Sequence, residues 1–140
     1  MTIKHQIVLS YTKDLSVETP DVESLISARE NISKYSLKLD LNSKALKNKM
    51  IEVETKLTYE DKTKNKKKTY FEMIYATVVK IEEEKLNNED IKKFILCDLQ
   101  VQIYPKIEKI FLEILKLSGF PELQLNSKID FNKLYNERKN

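Results

Sequence analysis

The chain has 140 residues, of which 41% are hydrophobic and 34% are charged, and its formal net charge is +3 at pH 7. These values are typical of one globular domain with a modest core, so a single domain over residues 1–140 is predicted. The small charge argues against a nucleic-acid partner unless a basic patch is concentrated somewhere. The one cysteine excludes an intrachain disulfide, and no apolar run reaches the roughly 18 residues of a spanning helix. Without a signal peptide, the protein is expected in the cytoplasm and not inserted in a membrane.

Four segments with a two-residue period predict four strands, at residues 6–18, 35–42, 51–59 and 69–81. Pro20 ends the first strand because proline donates no hydrogen bond to a sheet, and residues 20–34 are predicted to form a connecting segment. Residues 60–68 are predicted to form a hairpin tip. The first strand is expected to place five apolar side chains on one face, interrupted by Lys13: Ile7, Leu9, Tyr11, Leu15 and Val17.

The hydrophobic period becomes helical after Asn87 and Asn88, either of which is a good N-cap. Apolar residues continue at helical spacing as far as Leu117. Pro105 lies within this stretch and is expected to kink or divide the helix, because proline clashes with the preceding turn. A long broken helix is therefore predicted after the fourth strand.

Gly119 precedes a Phe-Pro pair and is a good helix stop, and a short last helix is predicted to begin near Asp130. One-sided strands followed by amphipathic helices indicate two packed layers. The predicted fold is α+β: a four-stranded antiparallel sheet with a long broken helix and a short C-terminal helix on one face.

The chain lacks the residues that most catalytic or metal sites need. It has one histidine, His5, expected at the surface near the terminus, and Cys97 is expected to be a small buried hydrophobe. A metal site needs several clustered ligands, and phosphate-binding loops need several glycines where this chain has only Gly119. We predict no metal, no cofactor and no enzymatic activity.

A basic run falls in the predicted hairpin tip. A solvated tip is the favoured interpretation, and contact with RNA or DNA is the alternative, although no arginine or aromatic residue is interleaved. The run consists of Lys62, Lys64, Lys66, Lys67 and Lys68.

The polar face of the predicted sheet is net acidic in a protein that is basic overall. It is either a solvated face or a docking surface for a basic partner. Its predicted charged residues are Asp14, Glu18, Asp40, Glu52, Glu54 and Glu72, with Lys38, Lys56 and Lys80.

Several apolar residues lie outside the predicted core-forming segments. Ordinary core packing is one interpretation, and an oligomer interface or a binding groove is the other. They are Val22, Leu25, Ile26 and Ile32 after the first strand, with Phe120, Phe131 and Tyr135 near the chain end.

Short motifs along nearly the whole chain resemble the SecB family of protein-export chaperones. YTKDLSVETP at residues 11–20 resembles the family's first strand, and KLDL at 38–41 its second. IYP at 103–105, GFPEL at 119–123 and DFNKL at 130–134 resemble its helix proline, its post-helix turn and the start of its last helix. The motifs occur in the family's order from about residue 6 to residue 136.

The resemblance implies an ATP-independent holdase that binds unfolded preproteins and delivers them to the SecA translocase motor. It implies a homotetramer assembled as a dimer of dimers, with no cofactor and no nucleic-acid partner. Some SecB-like proteins instead hold an antitoxin in toxin–antitoxin systems, and that role is the alternative. Groove residues expected to bind clients are Val22, Leu25, Ile26, Tyr35, Phe120, Phe131 and Tyr135.

The resemblance also implies acidic residues that dock the translocase motor. Asp14 and Glu18 match the family's docking positions on the first strand. On the fourth strand the family's acidic position falls at about Ile74, so docking by Glu72, like that by Glu54, is inferred from strand alternation. The chain also lacks the family's acidic C-terminal tail and its crossover tryptophan, for which Tyr35 is the nearest aromatic residue.

Overall fold

The computed structural model describes residues 3–61, 69–125 and 129–139, with side chains as far as residue 137. An antiparallel sheet contains β1 (His5–Glu18), β2 (Tyr35–Ala45), β3 (Met50–Asp61) and β4 (Tyr70–Ile81), in the spatial order β1-β4-β3-β2. The helices are α1 (Val22–Glu30), α2 (Asn88–Lys93), α3 (Leu99–Leu117) and α4 (Phe131–Lys139). The predicted α+β class and all four strands are confirmed. The predicted basic tip at Lys62–Lys68 lies outside the described residues.

The core forms where α3 packs on the inner face of β3 and β4. Leu57, Phe71 and Met73 of the sheet are fully buried, as are Ile107 and Phe111 of α3. The alternation predicted for β3 and β4 is thereby confirmed, because the residues between these positions point to the outer face. None of the described helices is long and apolar enough to cross a membrane.

The predicted alternation along β1 is wrong, because the strand contains two irregularities. The pairing register with β4 shifts between Ile7 and Leu9, and again between Thr12 and Asp14. Each shift inserts one extra residue and reverses which face the following side chains occupy. Leu9 and Tyr11 therefore lie on the outer face, while Ile7, Leu15 and Val17 lie on the inner face.

The segment predicted as a plain connection contains a helix, α1, and a 3₁₀ turn (Ile32–Lys34). Asp21 caps α1: its carboxylate accepts hydrogen bonds from the backbone N–H of Ser24 at 2.8 Å and from the Ser24 hydroxyl at 2.6 Å. The sequence does contain a helix signal, because Val22, Leu25 and Ile26 follow the cap at helical spacing.

The long helix is interrupted at a different place from the one predicted. Asn87 is its N-cap, as expected, with its side chain accepting from the backbone N–H of Asp90 at 2.8 Å. Pro105 lies inside α3 and does not divide it. The α-helical pattern is broken instead by a π-helical segment (Phe94–Asp98), which joins α2 to α3. A local widening of this kind changes which side chains face the sheet.

Gly119 ends the long helical stretch, as predicted, with a φ of +114°. A side chain here would also meet α1, because a Cβ built on Gly119 lies 2.8 Å from Leu25 Cδ1. The last helix begins as expected after Asp130, whose carboxylate accepts from the backbone N–H of Lys133 at 3.1 Å. It packs against the π-helical segment and α3, with the Phe131 ring against that of Tyr104.

Replacing Gly119 tests this junction. We expect Gly119→Ala to lower the free energy of unfolding by roughly 1–3 kcal/mol, because L-residues rarely adopt this φ and the new methyl group displaces Leu25. Urea denaturation measures the loss. Ser118→Ala at the neighbouring position, where φ is −99°, is the control and should change stability little. Equal stability of the two variants would contradict the described turn.

Candidate binding surfaces

Cys97 has no surroundings that would activate it. It is buried, as predicted, and its thiol donates to Asn132 Oδ1 at 3.0 Å. Burial raises the pKa of this thiol, which keeps it protonated. Among the described residues, no group of three or more His, Cys, Asp or Glu side chains is placed to hold a metal ion. The residue therefore helps to join α4 to the π-helical segment.

His5 differs from the prediction of a surface residue near a loose terminus. Its ring is partly buried and lies 4.7 Å from the ring of Phe94, centroid to centroid. Nδ1 is 2.8 Å from the Ile3 carbonyl oxygen, and Nε2 is 3.0 Å from Gln102 Oε1. These contacts fasten the start of β1 to the helical layer.

The exposed side of α1 presents an apolar surface. Val22 is 61% exposed and Ile26 is 52% exposed, one turn apart on the helix. The opposite side of α1 faces the protein, where Ser24 and Ala28 are buried and Leu25 is half-buried against Gly119. Large aliphatic side chains are thus held in solvent by a helix that is itself anchored.

A pocket of about 400 Å³ lies beside this surface. One wall comes from the end of α1 and the 3₁₀ turn, through Arg29 and Ile32, and the other from the segment that follows α3, from Phe120 to Gln124. Phe120 is buried, and its ring meets Phe71 edge-on at 5.5 Å, so the far wall is fixed to the core. Three of the seven predicted groove residues, Val22, Leu25 and Ile26, lie on α1, next to this wall.

Tyr35 ties the start of β2 to the start of β4. Its hydroxyl donates to the Thr69 carbonyl oxygen at 2.6 Å, and its ring lies 5.4 Å from that of Tyr59. Burial raises the pKa of the Tyr35 phenol to about 12. The side chain is half-buried, so one part of it remains available at the surface.

The other two predicted groove residues, Phe131 and Tyr135, are buried under α4. Phe131 meets Tyr104 edge-on at 5.4 Å, and the Tyr135 hydroxyl donates to Glu89 at 3.4 Å. Together with Phe120 they belong to the hydrophobic core. In the single chain, therefore, these three residues serve in core packing.

The acidic residues of the outer face differ in their partners. Glu54 accepts from Lys13 at 2.6 Å, and Glu72 pairs with Lys56 at 3.0 Å. Asp14 and Glu18 are exposed on β1 and make no ion pair within 4.0 Å in the described part of the chain. The acidity predicted for this face is therefore partly neutralised on β3 and β4 and remains open on β1.

Removing the Tyr35 hydroxyl tests its structural role. Tyr35→Phe should lower the free energy of unfolding near pH 7 by about 0.5–1.5 kcal/mol, because the Thr69 carbonyl loses its donor. The phenol ionises near pH 10 when unfolded and at about 12 when folded, so wild-type stability from this group is lost as the pH rises through that range. The wild-type advantage over the variant should therefore shrink between pH 10 and 12. An advantage that stays constant in urea melts would contradict the burial of this phenol.

Known proteins resemble this chain along most of its length. The profile of the family described as preprotein translocase subunit SecB matches residues 2–140. The chain is 44% identical over 140 residues to a putative protein-export protein SecB of Pelagibacter ubique, with both chains fully covered. It is also 33% identical over 131 residues to a protein-export protein SecB of Orientia tsutsugamushi. That alignment covers 91% of this chain and 79% of the relative.

The fold is also found among solved structures. The SecB-like chaperone of Mycobacterium tuberculosis, solved in complex with an antitoxin peptide, aligns with a TM-score of 0.65 at 12% identity. The alignment covers 89% of this chain and 90% of that one, and it establishes a shared fold. The family profile and the identity to the Pelagibacter relative establish more. This chain belongs to the SecB family, whose members are protein-export chaperones and not enzymes.

Proposed function

We propose that this protein is an ATP-independent holdase of the cytoplasm that binds unfolded preproteins and passes them to the SecA translocase motor. The observation that supports it best is the exposed apolar side of α1, carried by Val22 and Ile26, next to the pocket that ends at Phe120. Soluble monomeric proteins rarely expose a patch of neighbouring aliphatic side chains unless the patch binds a partner. An unfolded chain offers the apolar segments that would cover them.

Binding of this kind needs no cofactor. Each apolar contact with a client contributes roughly 25 cal/mol per Å² of buried surface, and several grooves in one assembly add avidity without sequence specificity. Within the proposed site, Val22, Leu25, Ile26 and Tyr35 contact clients directly. Phe120 forms the fixed wall of the pocket.

Phe131 and Tyr135 are proposed to contribute differently. Both residues belong to α4 and are buried on the side of the helix that faces the protein. They therefore hold α4 in place, and they reach a client only if α4 moves away. Their proposed role as client contacts therefore depends on that movement.

Docking of SecA is proposed to occur on the outer sheet face at Asp14 and Glu18. Both carboxylates are exposed and without an ion pair in the described residues, so a basic segment of the partner can reach them. Glu54 and Glu72 take part less directly, because Lys13 and Lys56 already occupy them.

The assembly is proposed to be a homotetramer, a dimer of dimers. β1 is an edge strand that pairs on one side only within the described residues, and apolar side chains along it are exposed on both faces. A long apolar edge of this kind tends to pair with another chain. The side chains are Ile7, Val8, Leu9, Tyr11, Leu15 and Val17.

The alternative function is that of a chaperone dedicated to an antitoxin. It is favoured by one observation, that the aligned mycobacterial chaperone was solved with an antitoxin peptide bound. A dedicated chaperone would hold one defined segment tightly and general unfolded clients weakly. Competition between an unfolded model protein and candidate antitoxin peptides separates the two functions.

Replacing the exposed apolar residues of α1 with acidic ones should abolish client holding. We expect Val22→Asp together with Ile26→Asp to prevent suppression of light scattering when a chemically unfolded model protein is diluted with the chaperone and no nucleotide. Leu46→Asp is the control, since Leu46 is also exposed and follows the end of β2, about 35 Å along the strand from its start. Equal suppression by the two proteins, both folded by circular dichroism, would refute α1 as the client surface.

The β1 edge should determine the assembly mass. Sedimentation of the wild type is expected to give four times the chain mass of 16.5 kDa. Leu15→Glu should give smaller species, because it places a charge on the exposed apolar edge. Leu46→Asp should leave the mass unchanged. A wild-type monomer, or a Leu15→Glu tetramer, would contradict assembly through β1.

A further inference from the structure

Lys13 lies at the second irregularity of β1 and reaches over the sheet. Thr12 pairs with Tyr75 and Asp14 with Ile74, so Lys13 is the extra residue between them. Its ammonium group crosses β4 to β3, where it donates to Glu52 at 2.7 Å and to Glu54 at 2.6 Å. One cation thus holds two carboxylates of a different strand.

The surroundings of Lys13 keep both carboxylates occupied. Tyr11, which the first irregularity turns to the outer face, donates its hydroxyl to Glu52 at 2.9 Å. The Glu52 and Glu54 side chains are only 13% and 25% exposed, whereas that of Lys13 is 41% exposed. A cation arriving from solvent therefore meets the ammonium group before it meets either carboxylate.

We propose that Lys13 is a specificity-determining residue of the outer face, an internal cation that excludes partner cations from Glu52 and Glu54. A lysine- and arginine-rich segment of a partner is thereby directed away from Glu52 and Glu54 and towards the unpaired Asp14 and Glu18 on β1. This inference rests on the proposed docking of the translocase motor at that face.

The physical basis is competition between an attached cation and a free one. Lys13 is held near the carboxylates by its own strand, so a partner lysine must displace a group whose effective concentration is high. The neighbouring apolar side chains, Leu9 at 50% exposure and Tyr11 at 40%, offer a surface for the aliphatic stems of partner lysines. Without Lys13, the same segment would gain two further carboxylates beside that surface.

The matched control is Lys80. It is exposed, and the strand register places it on β4, on the outer face over which Lys13 reaches. Lys80 makes no ion pair within 4.0 Å in the part of the chain that the structure describes. Lys13→Met and Lys80→Met therefore change the net charge equally, but only the first frees a pair of carboxylates.

The experiment titrates the full-length variants with a synthetic 20-residue lysine- and arginine-rich peptide and follows binding by fluorescence anisotropy at low salt. Lys13→Met should bind about five- to tenfold more tightly than wild type, and Lys80→Met at most about twofold more tightly. The difference should fall as salt is added, because exposed charges are screened. Lys13→Arg should match wild type, and Lys13→Met/Glu52→Gln/Glu54→Gln should lose the gain.

Equal affinities for Lys13→Met and Lys80→Met would overturn the proposal, because net charge alone would then explain the effect. A gain that survives in the triple variant would overturn it as well. Lys13→Gln replaces Lys13→Met if the latter melts at a lower temperature than wild type. Suppression of client aggregation is measured on the same samples: its absence in wild type would reject the holdase function while leaving the peptide comparison interpretable.

Discussion

The packing of the helical stretch from Asn88 to Leu117 on one face of the sheet is the contact on which the other features depend. Ile107, Phe111 and Leu115 of α3 are fully buried, with Phe71 and Met73 of the sheet. Because this layer covers only the inner face, the outer face carries charged side chains together with the exposed Leu9 and Tyr11. A buried hydrogen bond of 3.3 Å from the Thr55 hydroxyl to Gln100 Oε1 joins the two layers within this contact.

The same packing places the two surfaces to which we assign function. Gly119, which follows α3, lies against Leu25 of α1, so the end of α1 and the segment after α3 meet as the two walls of the pocket. β1 is an edge strand of the described sheet, and its two irregularities distribute apolar side chains to both faces. The proposed client surface and the proposed self-association edge thus lie on different elements, so a substitution in one need not disturb the other.

Most of the fold was predictable because most of its elements follow a simple period. β3 and β4 alternate without interruption over the core, and the caps at Asn87 and Asp130 and the stop at Gly119 lie where the sequence predicts them. Pro105 was expected to kink or divide the helix, and it lies inside an undivided α3. The π-helical segment before it has no glycine or proline to announce it.

The sites were less predictable, because they depend on contacts between distant residues. An irregularity at Lys13 cannot be read from alternation, and its pairing with Glu52 and Glu54 also requires the strand order β1-β4-β3. The sequence also does not predict that Phe131 and Tyr135 are buried, because their burial depends on where α4 packs. Among the seven predicted client-binding residues, Val22 and Ile26 are the two that combine a local helix signal with high exposure.

We propose that clients bind at α1 and the turn after α3 rather than on the outer face of the sheet. Hydrogen–deuterium exchange of the protein, alone and saturated with an unfolded model protein, tests it most directly. We predict that client binding slows backbone exchange in residues 22–35 and 119–125 and leaves the exchange of the central strand β3 unchanged. Protection centred on β3, or the same exchange with and without client, would contradict it.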